Sequence, residues 1–434
     1  MPLPAEAARA LDALQRFGIH LGLGHVRRLL AELGDPQTGV PSVVVAGTNG
    51  KGSTSALLAS IAEAAGYHAG LYTSPHLESV EERVRLEGRD VDGEVLGAAV
   101  LETLAAGERV LDAPPTYFET LTAAALVVFR RAGVELAVLE VGLGGRLDAV
   151  NVAEPLLSVV TPVSIEHRGV LGDTLLDIAR EKAAVLRRGR PAVAWGEAPE
   201  VRQAMLGADV SFADDEVEFD AVERLGWTGQ RFELTTPVRH YELHLPLLGH
   251  HQRVNLALAV RAAERLLDAG WRHFDAAAIR AGAAHVRWPG RLEVVALPAG
   301  AVGDGGPARV LLDAAHNPHG AAALAAFLDE VADDDGEPPP AMLFGVLDDK
   351  EAEGMLPLLA ARAGRLLLTR PPGGRGRDPE ELVGLLPEGR EAEVVADAEA
   401  ALGRALSAAG EARTLVVCGS IYLVGAVRGL LRRG

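Results

Sequence analysis

Two features are nearly absent from this 434-residue chain, and each absence excludes a class of protein. Cys418 is the only cysteine, which excludes a disulfide framework and a cysteine-rich zinc site. No uncharged apolar run reaches about 18 residues, so no transmembrane helix is expected. The first twenty residues carry charges at positions 6, 9, 12 and 16, so no secretory leader is expected either. We therefore expect a cytoplasmic protein.

Lysine is also scarce. Of the 42 basic residues only three are lysine (Lys51, Lys182 and Lys350), and the other 39 are arginine. A bias toward GC-rich codons accounts for this ratio. Under such a bias, lysine should persist mainly where a guanidinium cannot replace an ammonium group. The three lysines are therefore candidates for specific chemistry.

The remaining composition is that of a folded protein. Hydrophobic residues make up 48% and charged residues 24%, which excludes a disordered chain. The net charge of −18 argues against a protein that coats nucleic acid. A chain of this length predicts two or three domains, and we expect no nucleic-acid or membrane partner.

The distribution of apolar runs predicts an α/β fold, because buried strands alternate with helical segments. A stretch from 298 to 307 is rich in glycine and proline and predicts a boundary between domains 1–297 and 298–434. Alternating polarity between 214 and 245 predicts a small antiparallel patch in the first domain. The acidic segment 333–340 is interpreted as an exposed loop. Strands are predicted at 42–46, 136–141, 156–161, 192–195, 309–313, 341–345, 365–369 and 414–418, and helices at 5–16, 25–33, 53–65, 118–131, 174–187 and 252–269.

A glycine-rich segment, Gly47–Ser53, lies between the first predicted strand and a helix. Successive backbone N–H groups and the start of the helix would form an anion cradle, to which Lys51 adds a compact positive charge. The spacing differs from the standard Walker pattern, because position 45 is valine and Gly52 precedes the hydroxyl residue. The alternative is a glycine-rich turn without a ligand.

Gly47–Ser53 resembles the phosphate loop of the Mur ligase superfamily, and the remaining motifs resemble its folylpolyglutamate synthase/dihydrofolate synthase branch. Each motif alone is weakly specific, but the ordered set is highly specific for that branch. The chain departs from the family pattern at Ala314 and at 168–170. The motifs are Tyr72–Leu77, Glu82–Val84, Tyr117–Glu119, Leu139–Asp148 with Asn151, Arg180–Ala183, His251 and Gln252 with Asn255, Trp288–Arg291, Asp313–Pro318 and Gly419–Leu423.

The resemblance implies a P-loop-type ATP-binding domain of the Mur ligase central type, followed by a Rossmann-like glutamate-ligase domain. It implies ATP contacts at Thr48, Asn49, Gly50, Lys51, Gly52, Ser53, Asn255, Arg291 and Asp313. His316 joins Lys51, Lys182 and Asp313 as an implied catalytic residue, although it could instead be an ordinary turn histidine.

The resemblance also implies two Mg²⁺ ions, with contacts from Ser74, Glu140, His167 and Lys182. Lys182 would act as a carbamate formed with CO₂, which a permanently protonated guanidinium could not form. The alternative for Lys182 is a solvent-exposed helical charge. Glu140 ends a predicted strand, where carboxylates in doubly wound sheets often meet ligands.

Substrate contacts implied by the resemblance are Leu21, Gly22, Leu23, Phe118, Glu119, Arg146 and Asp148, which would face the pterin or folate. For Phe118, packing in the core is an equal alternative. Lys350 follows a predicted strand in the second domain and is either a cleft residue or an ordinary surface lysine.

The implied reaction is ATP-dependent addition of L-glutamate to dihydropteroate, to reduced folates, or to both, through an acyl phosphate, by an expected monomer. Two alternatives stay open. One is a Mur-type ligase for a nucleotide-linked cell-wall precursor, and the other is a catalytically silent nucleotide-binding protein. Intact Lys51, Glu140, His167, Lys182 and Asp313 argue against the second.

Overall fold

The structure, a computed structural model, describes residues 1–15, 18, 22–298, 307–407 and 412–433. The chain forms two compact units. The first contains 1–223, 231–245 and 253–286, and the second contains 224–230, 246–252 and 287–434. Within the described residues, no helix is both long enough and apolar enough to span a bilayer.

The strands and helices are numbered in chain order. The strands are β1 (Ser42–Ala46), β2 (Ala69–Tyr72), β3 (Val84–Leu86), β4 (Arg89–Asp90), β5 (Leu136–Glu140), β6 (Leu157–Val160), β7 (Pro191–Ala194), β8 (Asp209–Phe212), β9 (Glu218–Arg224), β10 (Gln230–Thr235), β11 (His240–Leu245), β12 (Glu293–Ala296), β13 (Arg309–Leu312), β14 (Ala341–Phe344), β15 (Arg365–Leu368), β16 (Glu393–Val394) and β17 (Thr414–Cys418). The helices are α1 (Ala5–Leu14), α2 (Gly24–Glu32), α3 (Lys51–Ala64), α4 (Gly93–Val110), α5 (Tyr117–Ala132), α6 (Arg168–Leu171), α7 (Leu175–Ala183), α8 (Pro199–Ala204), α9 (Ala213–Glu216), α10 (His250–Asp268), α11 (Ala276–His285), α12 (Pro318–Asp335), α13 (Leu356–Ala360), α14 (Pro379–Val383), α15 (Ala398–Ser407) and α16 (Ile421–Arg433).

The first unit is built on an eight-stranded sheet with the order β4-β3-β2-β5-β1-β6-β7-β8. Strands β2, β5, β1, β6, β7 and β8 are parallel, while β3 pairs antiparallel with both β2 and β4. The central strands β1 and β5 are buried along their whole length, as expected for strands covered on both faces. After β1 the chain leads to β2 on one side, and after β5 it leads to β6 on the other. This reversal creates a switch point at the carboxyl ends of β1 and β5, where doubly wound sheets bind ligands.

A three-stranded sheet of β9, β10 and β11 confirms the predicted antiparallel patch. Alternate residues of β11 are buried and exposed, which is the pattern of a sheet with one face in the core.

The second unit is built on a six-stranded sheet with the order β12-β13-β17-β14-β15-β16, in which only β12 is antiparallel to its neighbour. Its core includes Phe327, Phe344 and Met342, all nearly inaccessible to solvent. Because β12 pairs with β13, residues 293–296 lie in this unit, and the compact division falls after Val286. The domain boundary predicted at 297/298 stays a prediction, and 299–306 of its glycine-rich stretch lie outside the described residues.

The α/β fold class predicted from sequence is confirmed, with two differences in detail. The helix predicted over 174–187 ends at Ala183, since the chain then enters a series of turns. The predicted acidic loop 333–340 is wrong at its start, because α12 continues through Asp335. The helix stops at Gly336, which adopts the left-handed conformation typical of a helix end.

Candidate active site

The glycine-rich loop joins β1 to α3 at the switch point of the large sheet. Gly47 and Gly50 have φ values of +139° and +88°, a region that disfavours residues with a Cβ atom. A Cβ on Gly47 would overlap the Thr161 hydroxyl, and a Cβ on Gly50 would overlap the Asn255 side chain. The loop lies against the segment after β6, where Thr48 N donates to Pro162 O at 3.0 Å. Both glycines are therefore required by close packing.

Two of the three lysines converge on one carbonyl of this loop. Lys51 Nζ donates to Gly47 O at 3.1 Å and to Thr48 O at 3.0 Å. Lys182 Nζ donates to Gly47 O at 2.7 Å, although it lies 135 residues further along the chain. The compact loop thus carries two positive charges, which suits it to bind phosphate.

Lys182 is buried, with 1% of its side chain exposed, so the alternative of a solvent-exposed helical charge is wrong. Its Nζ forms an ion pair with Glu166 Oε1 at 2.8 Å. Burial, together with the nearby Lys51 charge, lowers the pKa of Lys182 to about 8, and Glu166 only partly opposes this. Burial alone would raise the pKa of Glu166, but Lys182 and Lys51 outweigh it and lower this pKa to about 2. The ion pair between Lys182 and Glu166 thus neutralises one of the two positive charges at the loop.

Sequence reasoning missed Glu166. The only signal in the sequence was its position directly before His167, which the resemblance had implied as a metal contact. His167 has a φ of +47° and precedes α6, and its neighbour Glu166 forms the ion pair with Lys182.

Glu140 lies at the carboxyl end of β5, level with Val45 of β1. Its carboxylate is almost fully buried, and its Oε2 accepts a hydrogen bond from Ser74 N at 2.9 Å. The structure therefore brings together two of the predicted magnesium contacts. Ser53, in the first turn of α3, is also buried.

The polar groups at this edge of the sheet can be compared with the ligands that Mg²⁺ prefers. The described residues contain no group of three or more His, Cys, Asp or Glu side chains that could hold a metal ion. Mg²⁺ does not require such a cage, since it is usually held by one or two carboxylates, retained waters and nucleotide phosphates. One buried carboxylate with hydroxyl oxygens beside the glycine-rich loop fits that mode.

Asn255, from α10, is the predicted ATP contact that the structure places at the loop. A Cβ on Gly50 would touch its Oδ1 atom, and Thr54 Oγ1 donates to the same atom at 3.5 Å. Gly50 and Asn255 are far apart in the sequence, so their contact could not be predicted from it. The contact forms because α10 packs in the first unit.

The predicted acceptor residues Phe118 and Asp148 lie together beside the loop that follows β5. A Cβ on Gly142 would overlap the Phe118 ring and would lie 3.3 Å from Asp148 Oδ2. The Phe118 ring is 6.1 Å from that of Tyr72 and packs partly against the core, so both predicted roles for Phe118 are compatible with its position.

Asp148 organises this loop. Its Oδ2 accepts from Gly142 N at 3.0 Å and from Leu143 N at 2.9 Å, and its Oδ1 accepts from Val150 N at 2.9 Å. Burial raises the pKa of Asp148 to about 6, although the three backbone donors and Lys51 act in the opposite direction. A carboxyl group held this way fixes the loop and can exchange a proton near neutral pH.

The other predicted acceptor contacts have local partners. Glu119 Oε2 accepts from Thr116 N at 2.8 Å and completes a capping box at the start of α5. Arg146 pairs with Glu181 at 2.8 Å on the surface. Gly22 and Leu23 precede α2, and Leu23 packs against the core, whereas Leu21 lies outside the described residues. Substrate contact by these residues stays a prediction.

A buried cation that sequence reasoning did not select lies next to these residues. Arg83 Nε donates to His76 Nδ1 at 2.9 Å, and the guanidinium carbon is 5.2 Å from the centre of the Tyr117 ring. Burial, with the Arg83 charge, lowers the pKa of His76 to about 4, so the imidazole is neutral. The two residues stood within family motifs, but nothing in the sequence indicated that they pair.

In the second unit, the predicted residue Arg291 lies just before β12, and the predicted residues Asp313 and His316 follow β13. Asp313 Oδ2 accepts from Leu292 N at 2.9 Å, and its Oδ1 accepts from Ala315 N at 3.0 Å. Burial raises the pKa of Asp313, and Arg291 partly opposes this. His316 Nδ1 is 2.9 Å from Ala314 O, and since a carbonyl only accepts, Nδ1 carries the proton.

Lys350 lies in the loop after β14. Its Nζ is 3.4 Å from Asp349, and 19% of its side chain is exposed. It is far less buried than Lys182, and its role stays a prediction.

Two family models match the chain. The Mur ligase middle domain matches residues 45–263, and the Mur ligase glutamate ligase domain matches residues 290–421. A dihydrofolate synthase/folylpolyglutamate synthase from Mycobacterium tuberculosis is 34% identical over the whole chain and 96% of its own length. The chain belongs to the folylpolyglutamate synthase/dihydrofolate synthase family.

Other members of this family agree with that assignment. A probable bifunctional folylpolyglutamate synthase/dihydropteroate synthase from Haloferax volcanii is 39% identical over 98% of this chain, and the chain spans about half the length of that relative. A solved structure of Escherichia coli FolC in complex with DHPP and ADP covers 100% of both chains at 30% identity, with a TM-score of 0.84.

Proposed function

We propose that this family member is an ATP-dependent carboxylate–amine ligase that joins L-glutamate to dihydropteroate, to reduced folates, or to both. The observation that carries the proposal is the arrangement at the switch point. A glycine loop with two lysines lies beside the buried Glu140, and an aromatic and acidic cluster of Phe118 and Asp148 lies next along the same sheet edge.

In the proposed reaction, an acceptor carboxylate oxygen attacks the γ-phosphorus of ATP, and ADP leaves. The nitrogen of L-glutamate then attacks the activated carbonyl carbon, and phosphate leaves as the amide forms. The protein supplies little covalent chemistry in such reactions; it aligns the reactants and neutralises charge.

Lys51 is the proposed phosphate contact. Its ammonium is held by two loop carbonyls, and in the nucleotide complex it exchanges these acceptors for phosphate oxygens. Backbone N–H groups of Gly50 to Ser53 at the start of α3 add donors, whereas those of Thr48 and Asn49 already donate to Pro162 O. Asn255 lies against the loop and supports ATP binding there.

Arg291, Asp313 and His316 are the proposed contributions of the second unit. The Arg291 fork suits phosphate geometry. Asp313 holds the backbone at 292 and 315, so its proposed role includes positioning the loop that carries His316. This assignment rests on the family motifs and on the shared location at the end of β13.

Mg²⁺ would be held by Glu140, Ser74 and His167, with Ser53 close to the phosphates, and Lys182 would contribute as a carbamate. Such ions supply charge neutralisation on the transferring phosphoryl group. Lys182 supports this role in two respects, since it lies beside the loop and its lowered pKa favours the neutral amine that reacts with CO₂. Its ion pair with Glu166 must open for that reaction to occur.

The decisive experiment measures phosphate release from ATP with L-glutamate and one acceptor at a time, with mass spectrometry of the product. Dihydropteroate and tetrahydrofolate test the proposal separately. Release with a UDP-muramyl acceptor alone would instead favour a cell-wall ligase. An enzyme that binds ATP but releases phosphate with none of the three would contradict the proposal and favour a silent nucleotide-binding protein.

A further inference from the structure

Arg83 is a buried cation without a carboxylate partner among the described residues. Only 8% of the residue is exposed. Its Nε donates to His76, and its guanidinium lies over the Tyr117 ring. Its two terminal nitrogens donate to no described residue. Buried charges are nearly always paired, so this arrangement calls for an explanation.

Other arginines of comparable burial do have acidic partners. Arg261 forms ion pairs with Glu216 and Glu264, and Arg85, two residues from Arg83, pairs with Asp90 at 2.8 Å. The nearest acidic residues in sequence are used elsewhere. Glu81 accepts from Leu3 N, and Glu82 accepts from the backbone at 77–79. Among the described residues, Arg83 therefore differs from these two arginines in having no acidic partner.

His76 provides one more N–H group that donates to no described residue. Because Nδ1 accepts from Arg83, the neutral imidazole carries its proton on Nε2. No described residue accepts from Nε2. The two side chains together offer the terminal guanidinium N–H groups and one imidazole N–H to a ligand, which is the donor set for a carboxylate.

Arg83 lies at the same sheet edge as the proposed chemistry. Its carbonyl accepts from Thr73 N at 2.9 Å, next to Ser74, whose N–H donates to Glu140. Tyr117, which stacks on Arg83, precedes Phe118, which packs toward Gly142 and Asp148. Two consecutive residues at the start of α5 therefore contact, respectively, the cation and a region that holds the Asp148 carboxyl group.

We propose that Arg83 and His76 bind a carboxylate of the acceptor substrate, with the Tyr117 ring covering the cation. The inference rests on the proposed function for the nature of the acceptor. Two carboxylates fit this chemistry: the one that reacts with ATP, and the α-carboxylate of a folate that already carries glutamate. Dihydropteroate has only the first, so comparing the two acceptors separates the sources.

The test compares wild type with Arg83→Gln and Arg83→Lys, and uses Arg85→Gln as the matched control. Loss of a charge-assisted hydrogen bond should raise the acceptor KM of Arg83→Gln about 10- to 100-fold, with the ATP KM within about twofold of wild type. Arg83→Lys keeps the charge and should recover part of this loss. Arg85→Gln should leave both KM values within about twofold.

If Arg83→Gln raises the KM for both acceptors, the group bound by Arg83 and His76 is the carboxylate that reacts with ATP. If it raises the KM for tetrahydrofolate alone, the bound group is the α-carboxylate. An acceptor KM that changes in neither case, or an ATP KM that rises in parallel, overturns the proposal.

Equilibrium binding keeps the test independent of turnover and of folding. Dissociation constants of dihydropteroate and tetrahydrofolate are measured by protein fluorescence in the presence of ADP, and ADP binding verifies that each variant is folded. If Arg83→Gln does not fold, Arg83→Lys and His76→Gln decide by the same measurement. A wild-type chain that binds acceptor but releases no phosphate contradicts the proposed function only. Equal acceptor binding by wild type and variants contradicts this inference only.

Discussion

Lys51 and Lys182 share one hydrogen-bond acceptor, the carbonyl oxygen of Gly47, at 3.1 and 2.7 Å. The carbonyl lies in a loop that a side chain on Gly47 would disrupt. Two ammonium groups this close repel each other, and Glu166 is the partly buried carboxylate that offsets the repulsion. The glycine-rich loop and Lys182 are thus one electrostatic unit.

Replacing either lysine by arginine should abolish ligation. Lys182 is enclosed on all sides, and a guanidinium is too large for its position and cannot form a carbamate. We expect kcat/KM for phosphate release to fall at least about 100-fold for Lys51→Arg and Lys182→Arg, which is about 3 kcal/mol of transition-state stabilisation. Lys350→Arg is the control, because this lysine is partly exposed and, among the described residues, forms an ion pair with Asp349 alone; it should retain most activity. Near-normal turnover of Lys182→Arg would contradict the assignment.

Carbamylation of Lys182 should be visible directly. Native mass spectrometry of the intact protein kept in bicarbonate should show the added mass of CO₂, and Lys182→Ala should not show it. Acetate added to Lys182→Ala should restore part of the activity, because a small carboxylate can occupy the vacated space. An unmodified Lys182 in native protein, together with no rescue by acetate, would refute carbamylation.

Gly50→Ala should weaken ATP binding more than it destabilises the fold. Gly50 and Gly66 have nearly equal φ values, +88° and +84°, but only Gly50 has a neighbour, Asn255, that a Cβ would overlap. Each substitution should cost about 1–2 kcal/mol of backbone strain in urea unfolding. Gly50→Ala should in addition raise the ATP KM about tenfold, since Asn255 and the loop must move apart. Equal ATP KM values for the two variants would show that this contact does not matter.

Asp148 should make stability depend on pH in a specific direction. Its pKa is raised in the folded state to about 6 from 3.8, chiefly by burial. Below pH 3.8 the Asp148 carboxyl group is protonated in both the folded and the unfolded state. Between pH 3.8 and about 6 the unfolded state has released this proton, whereas the folded state still holds it. The free energy of unfolding of wild type should therefore fall relative to Asp148→Asn by up to about 3 kcal/mol across this range.

Asp177→Asn provides a control of opposite sign. The pKa of Asp177 is lowered, chiefly by the hydrogen bond from the Thr174 hydroxyl, so the stability it contributes is lost as pH falls. If both variants show the same pH trend in urea unfolding, the raised pKa of Asp148 is wrong.

Much of this architecture follows from local sequence. β1 was predicted at its observed bounds, because Ser42–Ala46 is a short, largely apolar segment between Pro41 and a glycine-rich turn, which is typical of a buried strand. The short strands β2, β3, β4, β8, β12 and β16 were missed, since brief or polar segments become strands only when a neighbouring strand supplies their hydrogen bonds. The glycine-rich loop between β1 and α3 was predicted because its glycines and its lysine are consecutive in the chain.

The sequence by itself determined the α/β fold class, the glycine loop and the candidate status of the three lysines, because each depends on neighbouring residues or on composition. Only the tertiary structure decided that Lys182 is buried against Glu166, that Asp148 holds the loop after β5, and that Arg83 faces His76 without an acidic partner among the described residues. The physical reason is that burial and charge pairing are properties of the packed interior. Packing brings these groups together, and their positions in the sequence do not indicate that they will be in contact.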